Sequence, residues 1–251
     1  MKITISWLQE KNACADGIEW FQKKYPEQLK GVEYQSVLDD LVKENKCEWA
    51  EWLLSNAGRT NDTFEIKGDL ILEHSVFYAG SIKVTGKIVT KYCIQAGGDI
   101  QAGRGIQAGE DIQAGGDIKA VEGIQAGRDI KAGWGIKAGW GIKAGWGIQA
   151  GRDIKAVEVI QAGWDIKAVE GIKAGRGIQA GGGIQAGWGI KAGWGIQAGR
   201  GIQAGRGIKA GWDYGIYVGI SVKLSLKSTY AIIKSKTKPE NLILGEWKEM
   251  K

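Results

Sequence analysis

The sequence is poor in the residues on which most enzymes and metal sites depend. It has one histidine, three cysteines and two prolines in 251 residues. The cysteines (Cys14, Cys47 and Cys93) are odd in number and widely spaced, with no Cys-x-x-Cys pair, which argues against a disulfide framework and a zinc site. No P-loop, His-Glu-x-x-His or Gly-x-Ser-x-Gly motif occurs. We therefore expect a protein that is not an enzyme and that binds no cofactor or metal.

Long apolar runs are also missing. No stretch is long enough to cross a membrane. Near the N-terminus, Gln9, Glu10 and Lys11 interrupt the apolar run that a signal peptide would need. Free cysteines fit a reducing compartment. Together these features predict a cytoplasmic protein with no membrane partner.

Glycine, in contrast, is abundant, and much of it occurs at fixed positions of a strict repeat. Glycine supplies 41 of the 251 residues, and from residue 94 to 212 the phrase Ile-[Gln/Lys]-Ala-[Gly/Val]-x-[Gly/Asp] recurs twenty times without an insertion, with Val159 at the sixth position as the one departure. This regularity argues against collagen and against a disordered linker, and a short strict period is typical of a solenoid. Apolar residues keep the same spacing upstream to Phe64 and downstream through Tyr214 to Leu226, so we expect a longer solenoid around the array.

The order of residues within the phrase predicts short strands. Ile and the Ala two residues later share one face of an extended chain, so both point inward while Gln or Lys points outward. Gly at the fourth position and Gly or Asp at the sixth predict tight corners that need unusual backbone angles. Short strands joined by tight corners indicate a parallel β-helix.

Charges at the fifth position predict how many phrases close one coil. A twelve-residue step would stack Glu110 on Glu122, whereas an eighteen-residue step stacks every such Glu on an Arg, which is favourable. The sequence therefore predicts a mainly β protein, a triangular parallel β-helix of three phrases and 18 residues per coil, with about nine coils. The four stacked pairs are Glu110 with Arg128, Glu122 with Arg104, Glu158 with Arg176, and Glu170 with Arg152.

Three regions follow from these patterns. Residues 1–60 predict a small α-helical domain whose four Trp residues form a core, and a domain of this size is marginal by itself. We expect it to cap one end of the β-helix, which occupies residues 61–234. Residues 235–251 are interpreted as a C-terminal tail.

One face of the predicted prism carries a candidate binding surface. Lysines recur there in steps of eighteen, and Trp or Arg stands at the corner after Lys137, Lys173, Lys191 and Lys209. Asp117, Glu122, Asp153 and Glu158 dilute the positive charge at the N-terminal half of this face. Basic side chains interleaved with aromatic ones are suited to binding a polyanion such as nucleic acid. The net charge of +6 also favours an anionic partner. A corner ladder of Trp that shields the coil edge is the alternative interpretation. The candidate residues are Lys137, Trp140, Lys155, Lys173, Arg176, Lys191, Trp194, Lys209 and Trp212.

Two segments resemble known families. The segment Phe64-Glu-Ile-Lys-Gly-Asp-Leu-Ile-Leu, the segment from Gly80 to Ile88 and the Asp-Ile-Lys-Ala-Gly array resemble bactofilins, polymer-forming bacterial cytoskeletal proteins. This resemblance implies a triangular β-helix over about 64–226 and end-to-end assembly, and it implies no catalytic residues. Residues 6–14 with Trp20 and Phe21 loosely resemble N-terminal helical segments of uncharacterised phage and prophage proteins.

Two functions remain open at this point. The first is a non-catalytic scaffold or interaction protein, with a protein partner or self-association into an oligomer. The second is a phage- or bacterium-encoded binding or inhibitor protein that engages nucleic acid, or a nucleic-acid enzyme, through the face of Lys and Trp residues.

Overall fold

The protein consists of a small helical domain followed by a parallel β-solenoid, as the sequence predicts. The structure is a computed structural model that describes residues 1–27, 30–211, 215–219, 229 and 231–250. In the helical domain, two short strands pair antiparallel. Two helices lie between these strands in the chain, and two more follow the second strand. These elements are β1 (Lys2–Ile3), α1 (Ile5–Glu10), α2 (Ala15–Lys24), β2 (Val32–Glu33), α3 (Tyr34–Lys43) and α4 (Cys47–Ala57).

Local signals in the sequence set the helix ends and the buried helix faces. The hydroxyl of Thr4 accepts a hydrogen bond from the Trp7 amide and so caps α1. On α3, Val37, Leu38 and Leu41 are buried, which is the spacing of one helix face. Helix α4 ends at Gly58, whose φ of 76° lies in the left-handed region that glycine adopts without a steric penalty.

The solenoid is built from strands of two to four residues. From β8 (Ile94–Ala96) to β26 (Ile202–Ala204), every strand is one Ile-x-Ala triplet, and the triplets recur every six residues. The strands before this run are β3 (Thr63–Ile66), β4 (Leu70–Leu72), β5 (Val76–Tyr78), β6 (Ser81–Val84) and β7 (Ile88–Thr90). Those after it are β27 (Ile208–Lys209), β28 (Ile216–Val218), β29 (Ile232–Ser235), β30 (Leu242–Leu244) and β31 (Glu246–Glu249).

From β3 to β26, each strand pairs in parallel with the strand three further along, which confirms the predicted coil of 18 residues. Ile118, for example, lies beside Ile136. The result is three sheets of ten, ten and nine strands. We call them the lysine face (β3, β6, β9 and every third strand to β27), the glutamine face (β4, β7, β10 and every third strand to β28, then β30) and the helix-covered face (β5, β8, β11 and every third strand to β29, then β31).

The interior is made almost entirely of Ile and Ala. Every Ile from Ile94 to Ile208 is buried, as is every Ala from Ala96 to Ala210. Full burial of one Ile side chain stabilises a fold by roughly 1.5–3 kcal/mol, and each coil of the array buries three of them. The alternation of inward Ile and Ala with outward Gln or Lys therefore explains both the strands and the core.

Corner glycines serve close approach between coils, and the expectation that they need unusual backbone angles was wrong. No glycine of the array between 94 and 211 has a positive φ. A Cβ atom at Gly145 would instead lie 1.9 Å from the Gly127 carbonyl oxygen, and one at Gly163 would lie 1.9 Å from that of Gly145. From Gly115 to Gly205, the amides of these glycines donate to Ala carbonyls of the preceding coil, for example Gly145 to Ala126 at 3.1 Å. The coils stack too closely for a side chain there.

The helical domain lies against a side of the prism, and the expectation that it caps one end was wrong. Phe77, on the outer surface of β5, is buried in the same apolar cluster as the helices. The Gln35 side chain of α3 donates to the Phe77 carbonyl and accepts from the Ala79 amide, both at 2.9 Å. At the first coil, Phe64 is 39% exposed and Ile66 is only partly buried. That end of the core is therefore open.

The C-terminal coils depart from the six-residue period. Ile216 pairs with Ile196, twenty residues away, so the apolar spacing that we extended through Tyr214 shifts by two residues. Tyr214 and Leu226 themselves lie outside the described residues. The segment interpreted as a tail contributes β30 and β31 to two of the sheets. Trp247 lies beside Ile233 and packs on the end of the Ile and Ala core.

Fifth-position residues form columns along the three corners. Three of the four expected Glu and Arg pairs are present: Arg104 with Glu122 at 3.6 Å, Arg128 with Glu110 at 3.7 Å, and Arg176 with Glu158 at 3.7 Å. The fourth pair stacks through its backbone but forms no ion pair among the described residues. Arg152 instead lies over the Trp134 ring, 5.0 Å from its centroid.

Candidate functional site

Six lysines stand in one row on the lysine face. Strand pairing places each of them beside the next, eighteen residues on, and all six side chains are exposed. Strands lie about 4.8 Å apart, so the row spans roughly 24 Å along the prism. Two unit charges about 4.8 Å apart repel by about 0.9 kcal/mol in bulk water. A bound anion would relieve this repulsion. The six are Lys119, Lys137, Lys155, Lys173, Lys191 and Lys209.

Acidic residues pair with two of the three lysines in the N-terminal half of the row, and Lys137 between them forms no ion pair among the described residues. Asp117 lies 2.6 Å from Lys119, and Asp153 lies 2.5 Å from Lys155. The equivalent position before the strand is glycine in the later coils, at Gly171, Gly189 and Gly207. Within the described part of the chain, Lys173, Lys191 and Lys209 have no ion-pair partner. The positive charge is therefore concentrated at the C-terminal half of the face.

The two aspartates also hold neighbouring coils together. Burial alone would raise the pKa of Asp117, but hydrogen bonds from Lys119 and from the Gly135 amide outweigh it, and the pKa is lowered. Asp117 Oδ1 accepts from the Gly135 amide at 2.7 Å, and Asp153 Oδ1 accepts from the Gly171 amide at 2.9 Å. Their carboxylates thus neutralise adjacent lysines and satisfy backbone donors.

A groove of about 670 Å³ runs along the C-terminal part of the row. One wall is formed by Lys173, Lys191 and Lys209, and the other by residues 237–241, which include Lys238 and Glu240. This segment crosses the last coil, where Asn241 Nδ2 donates to the Gly211 carbonyl at 2.8 Å. Sequence reasoning missed Lys238, because no period in the sequence shows where the C-terminal segment returns.

The aromatic members of the candidate surface lie at the corner between the lysine and glutamine faces. Trp140 is 58% exposed, and Trp194 is also exposed. Arg176 is already engaged, since it pairs with Glu158 and lies over the Trp194 ring at 5.3 Å. Trp212 lies outside the described residues. The corner therefore offers indole surface, while the lysine row carries the uncompensated charge.

Nothing in the described part of the chain adds a reactive centre to this face. No cluster of three His, Cys, Asp or Glu side chains suited to a metal ion occurs among the described residues. Cys93 is buried, and its burial raises the pKa of its thiol to about 12, with the Glu110 carboxylate acting in the same direction. None of the helices in the described ranges combines the length and hydropathy that a membrane span requires. The described part of this face presents lysine side chains and, at one corner, indole rings.

Comparisons with known proteins bear on the helical domain alone. No curated protein and no solved structure matches the chain. The resemblance to bactofilins is supported as far as a triangular β-solenoid, and no family match confirms it. Residues 1–60, the helical domain, match the family described as the YdhT N-terminal domain, and this segment is therefore similar to that family.

Proposed function

We propose that this protein is a non-catalytic interaction scaffold whose lysine face binds an anionic polymer, with nucleic acid as the polymer of matching charge. The observation that carries the proposal is the row of six exposed lysines, four of which (Lys137, Lys173, Lys191 and Lys209) lack an acidic partner in the described part of the chain. A parallel solenoid keeps this row straight, since each coil is hydrogen-bonded to the next. A cytoplasmic location remains part of the proposal.

The charge of the row predicts a salt-dependent interaction. Each Lys that contacts a phosphate releases a counterion, and for single strands the slope of log K against log salt is about −0.7 per contact. In the triple variant Lys173→Gln, Lys191→Gln, Lys209→Gln, we expect affinity for a fluorescent single-stranded oligonucleotide to fall at least tenfold, and we expect the slope to flatten by about 2. Fluorescence anisotropy at several salt concentrations measures both.

A matched variant tests the place of the charge as well as its amount. Lys91→Gln, Lys131→Gln, Lys143→Gln removes three charges that lie off the lysine face. We expect this control to retain affinity within about threefold of the original protein. Equal losses in the two triple variants would show that net charge alone drives binding, and the proposal would then fail.

We propose self-association through the open first coil as a second function. The exposed Phe64 and the partly buried Ile66, Leu72 and Val76 leave an apolar end, and the outermost strands β3, β4 and β5 have unpaired edges there. At the other end, β31 carries Glu246, Lys248 and Glu249, charges that oppose edge pairing. Two copies would therefore join through their first coils as a closed pair.

Sedimentation velocity tests this pairing. The original protein is expected to form a dimer at high micromolar concentration, and Phe64→Lys is expected to return it to a monomer, because a charge at the joint would be buried. The control Tyr92→Ser alters an exposed aromatic residue elsewhere and should leave the dimer intact. A purely monomeric original protein would remove this second function.

A further inference from the structure

The corner between the glutamine face and the helix-covered face contains a stack of planar groups. Arg128 lies over the Trp146 ring at 5.4 Å. Trp146 stacks on Trp164, with ring centroids 5.7 Å apart and planes 9° from parallel. The next two members of the column, each one coil further on, are Gly182 and Arg200. The stack is thus broken at Gly182, which has no side chain.

The break leaves one face of Trp164 open. Trp164 is 65% exposed, more than any other Trp of the described array. Backbone bonds fix the spacing, since the Gly182 amide donates to the Trp164 carbonyl at 2.8 Å and the Arg200 amide donates to the Gly182 carbonyl at 3.0 Å. Two coil steps separate Trp164 from Arg200 by roughly 9.6 Å. A planar ring needs about 3.5 Å on each side, so the gap admits one ring.

A similar gap at another corner is filled from within the chain. Gly116 lies one coil before Trp134, and its missing side chain exposes the Trp134 ring on that side. Arg59, from the linker after α4, lies over this ring at 5.9 Å, and Arg152, one coil further on, lies over it at 5.0 Å. A planar cation thus occupies the position next to one interrupting glycine. At Gly182, none of the described residues does so.

The surface next to the gap is suited to an anion. A groove of about 310 Å³ on the helix-covered face is lined by Lys167, Gln185, Gln203 and Lys234. Lys167 pairs with Asp165 at 3.2 Å, whereas Lys234 has no ion pair within the described ranges. Arg200 lies at the corner, two residues before β26, which contributes Gln203 to this groove. A ring in the gap would therefore lie beside Arg200, Lys234 and amide donors from Gln. The Asp165 carboxylate also lies next to Gly182 and interacts electrostatically with Arg200, which leaves Lys234 as the cation without an acidic partner in the described ranges.

We propose that the gap at Gly182 binds a nucleotide, with its base between Trp164 and Arg200 and its phosphate towards Lys234. The base would extend the existing stack, since every nucleobase presents a planar π surface to an aromatic ring or a guanidinium group. The phosphate would satisfy the cations of the adjacent groove. This site lies on the corner opposite the lysine face, so it does not depend on the function proposed for that face.

Isothermal titration calorimetry with three ligands separates the contributions of base and phosphate. Adenosine 5′-monophosphate is expected to bind more tightly than adenosine, and ribose 5-phosphate is expected to bind weakest. Trp164→Ala should weaken binding of the monophosphate by roughly 5- to 100-fold, the range found for loss of one stacking ring. Lys234→Gln should weaken binding of the monophosphate and leave that of adenosine unchanged.

Trp134→Ala is the matched control, because Arg59 and Arg152 already lie over the Trp134 ring, and it should bind the monophosphate as the original protein does. Thermal melting of each variant confirms that the fold is retained. Equal affinity of Trp164→Ala and the original protein would overturn the proposal, as would ribose 5-phosphate binding as tightly as the monophosphate. Binding of N-acetyl-tryptophanamide without binding of the monophosphate would also overturn it, since the gap would then accept an aromatic side chain of a protein partner.

Discussion

At the scale of single residues, the glycines of the phrase have two different roles. A Cβ atom at Gly175 would lie 1.9 Å from the Val157 carbonyl oxygen, which is sterically impossible without movement of the coil. Two residues later, the nearest atom to a Cβ at Gly177 is the Gly195 carbonyl oxygen at 3.6 Å, an ordinary contact. At the fourth position glycine therefore allows the closest packing of the coils, and a side chain there needs a shift of the corner, while the sixth position tolerates a side chain without one.

This difference predicts opposite results for two neighbouring substitutions. Gly175→Ala should lower the free energy of unfolding by about 1–3 kcal/mol, since overpacking forces the backbone to shift. Gly177→Ala should leave it unchanged or raise it by about 0.4–1 kcal/mol, because alanine restricts the unfolded chain. Denaturant titrations of both variants measure the difference. Similar destabilisation by both would contradict the packing explanation.

Valine at the fourth position shows what the coil does when a side chain is present. Val121 and Val157 occupy that position, and both are exposed. Neither amide makes the bond to the Ala carbonyl of the preceding coil that the glycines make, considering the described residues. Val169 retains the bond, at 3.2 Å to Ala150. Local displacement of the corner thus accommodates valine, at the cost of a hydrogen bond in two of three cases.

At the scale of elements, aspartates connect each corner to the next coil. A carboxylate Oδ1 accepts the amide of the residue eighteen positions later, for example Asp129 from Gly147 at 2.7 Å and Asp165 from Gly183 at 2.7 Å. Burial alone would raise the pKa of Asp165, but the Gly183 amide and Lys167 outweigh it, so the pKa is lowered. The ionised carboxylate is therefore the form that the folded corner stabilises.

This lowered pKa predicts how stability depends on pH. A carboxyl whose folded pKa is below its unfolded value stabilises the fold above the unfolded pKa, near 4, and loses that contribution as the pH falls through the folded pKa. Between pH 5 and pH 2.5, the melting temperature of the double variant Asp117→Asn, Asp165→Asn should therefore fall less than that of the original protein. Circular dichroism melts at several pH values measure this. The exposed Asp16→Asn serves as the control, and a double variant as acid-sensitive as the control would contradict the prediction.

At the scale of the whole molecule, the two ends of the prism differ. The N-terminal end leaves Phe64 exposed, whereas the C-terminal end is closed by Trp247, whose Nε1 donates to Ser235 Oγ at 3.1 Å. Because each coil contacts only its neighbours, stability in a solenoid is approximately a sum of local terms. An opened end is therefore expected to affect the adjacent coils first.

Removal of the closing residue tests this expectation. Trp247→Ala should destabilise the C-terminal coils by about 2 kcal/mol, less than the 3–5 kcal/mol of a fully buried aromatic residue, since Trp247 is half-buried. Hydrogen exchange should accelerate in β26 and β29 and remain unchanged in β8 to β12. Trp140→Ala, at an exposed corner, is the control. Uniform acceleration along the solenoid would show that the molecule unfolds as a single unit.

Sequence periodicity determined the repeating part of the molecule. Inward Ile and Ala, outward Gln and Lys, and the stacking of Glu on Arg every eighteen residues specify a triangular coil, because each of these interactions recurs between adjacent coils. The position of the lysine row followed from the same step. The groove beside the row could not be predicted in this way, because its second wall, which includes Lys238, comes from a segment outside the repeat.

Tertiary structure decided the features that the period does not contain. Phe77 follows the strand pattern in sequence, but only the folded chain places it beneath the helices on a side of the prism. The shift of two residues before Ile216 and the return of Trp247 onto the core likewise depend on contacts with coils that precede them. Arg152 turns to Trp134 although Glu170 is also adjacent. A repeat specifies its neighbours in the stack, whereas single contacts at the ends and corners depend on which groups the whole fold brings within reach.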